Sequence, residues 1–247
     1  GMAPLNDDII FWGVLSGIIH GVYILCLSRA YSTADLSYVY PIARSAPIFV
    51  PVFAWLLLDE QLSISIFFAI VLILLAIFIL HFEGKVIQGF KNLIGAFGHQ
   101  DLRWAFYTLA MVVSYSLVDK KGMDSFLNHL PDQPFANGIT YFFIEATIGF
   151  ALCNVYVFAS HPAKYIFQTW RSEWKKAMLA GTATLGSYGL ICVVLQFEAL
   201  SAIVSLRQVS VLMVVYWGCW RLKEPFGPQR LLAGVLILIG VILIGSP

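Results

Sequence analysis

Phe135 to Ser160 reads FANGITYFFIEATIGFALCNVYVFAS, an apolar run interrupted by a single charged residue, Glu145. A helix rises about 1.5 Å per residue and the hydrocarbon core of a bilayer is about 30 Å thick, so a run of this length can cross it. Seven other stretches have the same character, near Ile9 to Ala30, Leu36 to Leu58, Ile64 to Phe82, Leu102 to Val118, Ala177 to Phe197, Ala202 to Trp220 and Gln229 to Gly245. None shows the alternation that lets a barrel strand face lipid on one side and a polar lumen on the other, so helices are required. The expected fold class is all-α, a polytopic membrane helix bundle with eight transmembrane helices.

Composition agrees. Of 247 residues, 60% are hydrophobic and 12% charged, with a mean hydropathy of +0.82; a soluble domain carries about 25% charged residues. The expected partner is therefore a lipid bilayer. A net charge of +1 leaves no footprint for nucleic acid. Cys26, Cys153, Cys192 and Cys219 all sit in apolar stretches without a C-x-x-C pair, so neither a disulfide framework nor a metal site is expected. No cofactor is expected. No basic segment with a cleavage site follows Gly1-Met2, so a signal peptide is not expected. H-E-x-x-H, G-x-S-x-G and Walker motifs are all lacking, and no loop is long enough for a catalytic domain, which argues against an enzyme. Between the third and fourth spans, Gly84 to His99 sets Val86, Phe90, Leu93, Ile94 and Phe97 against Lys85, Gln88 and Lys91, the pattern of an interfacial amphipathic helix.

Two parts of the chain repeat one order of features. ADLSYVYPIARSAP (Ala34 to Pro47) leads through an apolar run to Asp59-Glu60 and a long apolar helix; ALSAIVSLRQVS (Ala199 to Ser210) leads to Lys223-Glu224 and a final helix. Arg44 precedes Glu60 by 16 residues and Arg207 precedes Glu224 by 17. The matching spans are second with seventh and third with eighth. An odd offset inserts the copies from opposite sides, which makes an inverted-topology repeat. The first copy lacks equivalents of the fourth and fifth spans, so two N-terminal helices are expected to be absent from it.

At these residues the chain resembles the drug/metabolite transporter superfamily, specifically its EamA-type members. The likeness is carried by LSYVYPIARSAP (36–47) with LLLDEQLS (56–63), by YSLVDKKGM (115–123), and by FEALSAIVSLRQVSVL (197–212) with LKEPFGPQRLLAGVLILIGVILI (222–244), and so extends over nearly the whole chain. It implies eight helices of a ten-helix inverted-repeat fold: a first EamA-type repeat at 1–82 lacking its first two helices, an interfacial linker at 83–101, and a second, five-helix repeat at 102–247. The implied function is a secondary transporter in the bacterial inner membrane, exporting or exchanging a small-molecule substrate, whether a small metabolite, amino acid or drug-like compound, by alternating access. The alternatives are a non-transporting membrane subunit or an inactive fragment, and a homo-oligomer or a partner membrane subunit fits either.

The polar residues inside the spans are the candidate site. A charge at the bilayer centre is costly enough to survive only when paired or facing water. Arg44 and Arg207 are candidates to hold an anionic group or to orient Glu145; the plainer reading is that each caps carbonyls or snorkels. Ser37, Tyr40 and Arg44 share one face of a span that Pro41, Pro47 and Pro51 should kink. Gln208 beside Arg207, with Tyr115 and Tyr188, completes the substrate-contacting candidates, and Tyr38 and Tyr141 are further candidate cavity liners. For proton coupling the candidates are Glu145, His20 and Asp119, because a carboxyl among apolar groups is cheapest when it carries a proton. The plainer readings are a helix-to-helix hydrogen bond for Glu145 and packing for His20, which lies among Gly13, Gly17 and Gly21. Asp119 and Lys120 are expected to end the fourth span. Seven tryptophans cluster near the expected helix ends, as interfacial belts do. Apart from Arg44 and Arg207, eleven of thirteen lysines and arginines fall on one side of the spans, which the positive-inside rule makes cytoplasmic, with both chain ends outside.

Overall fold

The computed structural model describes residues 6–33, 39, 42–43, 45–61, 63–81, 102–210 and 227–245. Every regular element among them is helical: α1 (Asp7–Thr33), α2 (Ala46–Leu58), α3 (Ile64–His81), α4 (Arg103–His129), α5 (Pro134–Ser160), α6 (Ala163–Val194), α7 (Leu200–Leu206) and α8 (Gly227–Gly245), with a 3-10 turn, Arg207–Val209, after α7. Helices α1, α5 and α6 are long and apolar enough to cross a membrane, and Ala46–Leu58, Ile64–Ile79, Leu200–Val209 and Leu231–Leu243 are shorter apolar segments. The expected interfacial helix, the second half of the expected seventh span, and Ser37, Tyr38, Tyr40, Pro41 and Arg44 lie outside the described residues.

Boundaries differ from expectation where charge was taken as a stop. Helix α4 runs past Asp119 and Lys120 to His129. Lys120 does not break it, because its ammonium bonds the Leu195 carbonyl (2.8 Å) and pairs with Asp124 one turn on (2.9 Å). Helix α6 begins at Ala163 and not near Ala177, directly after Pro162, whose extended backbone (φ −69°, ψ 143°) sets the entry. Its first turns carry Lys164, Arg171, Glu173, Lys175 and Lys176, all exposed, so solvation replaces the need for a loop. In the expected seventh span, α7 tightens into the 3-10 turn at Arg207. Pro47 stands in the first turn of α2, where its missing N–H costs nothing, and Asp59 ends that helix with a left-handed backbone (φ 53°), its N–H bonding the Ala54 carbonyl.

The chain divides into two compact units. The first comprises residues 1–25 and 114–198; the second comprises 26–113 and 199–247. In the second unit, α3 lies against α8 through Ala76, Ile79, Ala233 and Ile237, with Gly240 admitting Ile73 closely. Glu60 closes this unit at α7: its two oxygens accept the Leu200 N–H (3.0 Å) and the Ser201 N–H (3.1 Å), satisfying donors that a helix start leaves open. Its outward residues are apolar, among them Trp55, Leu56, Phe68, Leu231 and Ile242.

In the first unit, α1 and α5 meet along a glycine strip. A Cβ on Gly13 would stand 2.8 Å from Ile144, one on Gly17 2.6 Å from Ile148 and 2.7 Å from the Glu145 carbonyl oxygen, and one on Gly21 2.6 Å from Leu152. Only a hydrogen fits there, and close backbone approach is how helices associate where lipid removes the hydrophobic driving force. The contact brings the backbone of α1 onto Glu145. Gly17→Ala is therefore expected to cost about 1–3 kcal/mol through overpacking. Gly181→Ala, where nothing lies within 4 Å, should be neutral or stabilising by up to about 1 kcal/mol. Thermal unfolding of the two solubilised variants checks this, and equal midpoints would contradict the contact.

Candidate functional site

Four helices of the first unit each contribute a polar pair at i, i+4, the spacing that stacks two side chains on one helix face. They are Ser16 and His20 on α1, Tyr115 and Asp119 on α4, Tyr141 and Glu145 on α5, and Tyr188 and Cys192 on α6. Ser16 and Asp119 are fully buried, and Glu145 is 2% exposed.

Asp119 is the hub. Its Oδ1 accepts from the Ser16 hydroxyl (2.5 Å) and the Tyr141 hydroxyl (3.2 Å), and its Oδ2 accepts from the Tyr188 hydroxyl (2.6 Å). Three hydroxyls thus replace the water that a buried carboxylate loses. Tyr141 reaches the spot because Gly122 leaves room for its ring: a Cβ there would stand 2.3 Å from it.

Glu145 and His20 form the second half of the cluster. Glu145 Oε1 lies 3.7 Å from His20 Nε2, and its Oε2 lies 3.4 Å from Ser16 Oγ. A hydroxyl has one hydrogen, and that of Ser16 goes to the nearer Asp119. His20 Nδ1 is 3.2 Å from the Ser16 carbonyl oxygen. Nδ1 is also 3.2 Å from Ser16 Oγ; a hydrogen on Nδ1 has the carbonyl as its acceptor, and Nε2 is the ring nitrogen that faces Glu145. The ring itself is walled by aromatics: it stacks on Tyr115 at 3.9 Å and meets Tyr188 and Tyr23 edge-on at 5.4 Å and 6.4 Å. One imidazole and two carboxylates, oriented by hydroxyls inside an apolar unit, form an arrangement that can hold a cation.

The three residues expected to handle protons, His20, Asp119 and Glu145, thus come together, and Tyr115 and Tyr188 join them. Arg207 and Gln208 belong to the second unit, where Arg207 is half-buried at the start of the 3-10 turn and Gln208 is buried. Near them in sequence, the Ser201 hydroxyl is fully buried with no hydrogen-bond partner among the described residues. Sequence reasoning passed over Ser16, although a polar residue one turn before His20 was the available signal.

The cluster's hydroxyls make a stability prediction. Asp119→Leu takes the shared acceptor from two buried hydroxyls, Ser16 and Tyr141, and from part-buried Tyr188, and is expected to cost at least about 3 kcal/mol. Asp119→Asn keeps an acceptor and should cost clearly less. Thermal unfolding of both solubilised variants decides, and equal losses would count against the hub.

Residues 1–82 match the EamA-like transporter family, part of the drug/metabolite transporter superfamily. The matched segment includes Ser16, His20, Arg44 and Glu60, while Asp119 and Glu145 lie beyond it. No curated protein matches the chain. The matched family is one of membrane transporters.

Proposed function

We propose that this chain, whose first third is of EamA-like transporter type, is a secondary carrier of a small metabolite, amino acid or drug-like compound across the bacterial inner membrane. It works by alternating access, and the cluster around Asp119 and Glu145 stands on the transport path. The observation that carries this reading is the burial of two carboxylates, with a part-buried imidazole against them, among apolar helices. Ionisable groups at such depth are expensive, and those that membrane proteins retain mark ion and substrate pathways. Arg207 and Gln208 in the second unit are candidate substrate contacts, as are Tyr115 and Tyr188 in the cluster of the first.

The test is flux. The purified chain reconstituted in proteoliposomes should move at least one member of a panel of radiolabelled amino acids and lipophilic dyes faster than protein-free vesicles do. Glu145→Gln conserves side-chain volume and should lower that flux at least about tenfold, with helical content and elution volume unchanged. Arg207→Ala should also lower it. Flux equal to that of empty vesicles across the panel would overturn the carrier, and undiminished flux in Glu145→Gln would remove the cluster from its path.

A further inference from the structure

We infer that His20, Asp119 and Glu145 form a binding site for one divalent first-row transition-metal ion, zinc foremost. The inference concerns binding alone and stands whether or not the chain transports solute. Each residue offers one ligand atom, and these atoms all lie within 4.8 Å of one another. They come from three different helices, α1, α4 and α5, so the site is assembled by the tertiary fold and has no counterpart in local sequence spacing. His20 Nε2 and Glu145 Oε1 stand 3.7 Å apart. In a tetrahedral zinc centre with bonds of about 2.0–2.2 Å, neighbouring ligand atoms stand about 3.4 Å apart. Closing the pair onto an ion takes a few tenths of an ångström.

The surrounding bonds are those a metal centre uses to aim its ligands. A metal-bound histidine donates its other ring N–H to a carbonyl or carboxylate, which fixes the tautomer; here the Ser16 carbonyl oxygen, 3.2 Å from Nδ1, is placed to accept that hydrogen, with Nε2 on the Glu145 side. Metal-binding carboxylates are held in turn by outer donors, as Asp119 is by Tyr188 at 2.6 Å and Tyr141 at 3.2 Å. Lys120, the sequence neighbour of Asp119, is directed instead to the Leu195 carbonyl and Asp124. A dipositive ion balances two carboxylates and leaves a neutral centre, the state that a low-dielectric interior tolerates. The imidazole sets the class of ion: calcium and magnesium take oxygen ligands, whereas one ring nitrogen with carboxylate oxygens suits zinc and its neighbours. The Ser16 hydroxyl, 2.5 Å from Asp119 and 3.4 Å from Glu145, or a water in its place, supplies a fourth oxygen.

The experiment is a calorimetric titration of the full chain in lipid nanodiscs, stripped with chelator and then given Zn2+ alone, together with X-ray absorption of the loaded protein. Expected are one ion per chain and a zinc coordination shell of one imidazole nitrogen with oxygens. Affinity should fall about 100-fold or more in His20→Gln and Glu145→Gln, and about 10- to 100-fold in Tyr188→Phe, which disturbs only an outer donor. Absence of stoichiometric binding overturns the inference. So do sulfur or several imidazoles around the ion, which would place it at other residues, and an affinity unchanged in variants that retain helical content. Should the His20 and Glu145 variants fail to fold, the absorption spectrum of the unaltered chain still decides. Zinc binding without flux would leave this site standing and remove the carrier; flux without zinc binding would do the reverse.

Discussion

A carboxylate taken out of water must be given back the hydrogen bonds it loses, and the first unit of this chain is organised around doing that for Asp119. Ser16 from α1, Tyr141 from α5 and Tyr188 from α6 converge on it from three helices. Each of those helices also brings a second group one turn away, so meeting the needs of Asp119 fixes where Glu145 and His20 must stand. The glycine strip of α1 makes this achievable. With side chains at Gly13, Gly17 and Gly21, α1 would be held off from α5, and Ser16 could not span the two carboxylates. Packing and chemistry are therefore one problem in this unit: the smallest residue is placed where the backbones touch, and the polar ones follow on the adjoining face.

The second unit meets a different polar demand by a similar device. Glu60 puts both oxygens on the opening N–H groups of α7, across 140 residues of sequence. The outward faces of both units are populated by large apolar side chains, Phe150 at 71% exposure and Leu231 at 69% among them. Water-solvated proteins seldom present such surfaces contiguously. With acyl chains as the outer solvent they require no explanation, and the cost shifts to the few polar groups inside.

Much of the fold was legible because spans announce themselves by length. Ile9 to Ala30 and Phe135 to Ser160 became Asp7–Thr33 and Pro134–Ser160, the latter opened by a proline at its first position. Legibility failed where charge was equated with a break. Asp119 and Lys120 lie within α4 because tertiary partners at Ser16, Tyr188 and Leu195 absorb them, exposed Lys121 sets its ammonium over the Trp12 ring, and the charged residues from Lys164 to Lys176 lie within α6 because they are exposed. The site was legible as single residues only. His20, Asp119 and Glu145 each stood out as ionisable groups in apolar surroundings, yet the contacts that Ser16 makes with the two carboxylates cross 103 and 129 positions, a separation no local pattern encodes. The shared i, i+4 spacing on four helices was the one trace of the assembly in the sequence, and it is readable only once the helices are known to face one another.

The account rests on lipid surrounding the helices while the polar groups turn inward, and spin-label accessibility in bilayers tests that most directly. Nitroxides placed singly at Phe150, Leu190 and Ile242, all exposed on helix faces, should be relaxed strongly by oxygen, which concentrates in acyl chains, and weakly by a water-soluble nickel chelate. The reverse order at these positions, with the chelate dominating, would show water where lipid is required and contradict the account.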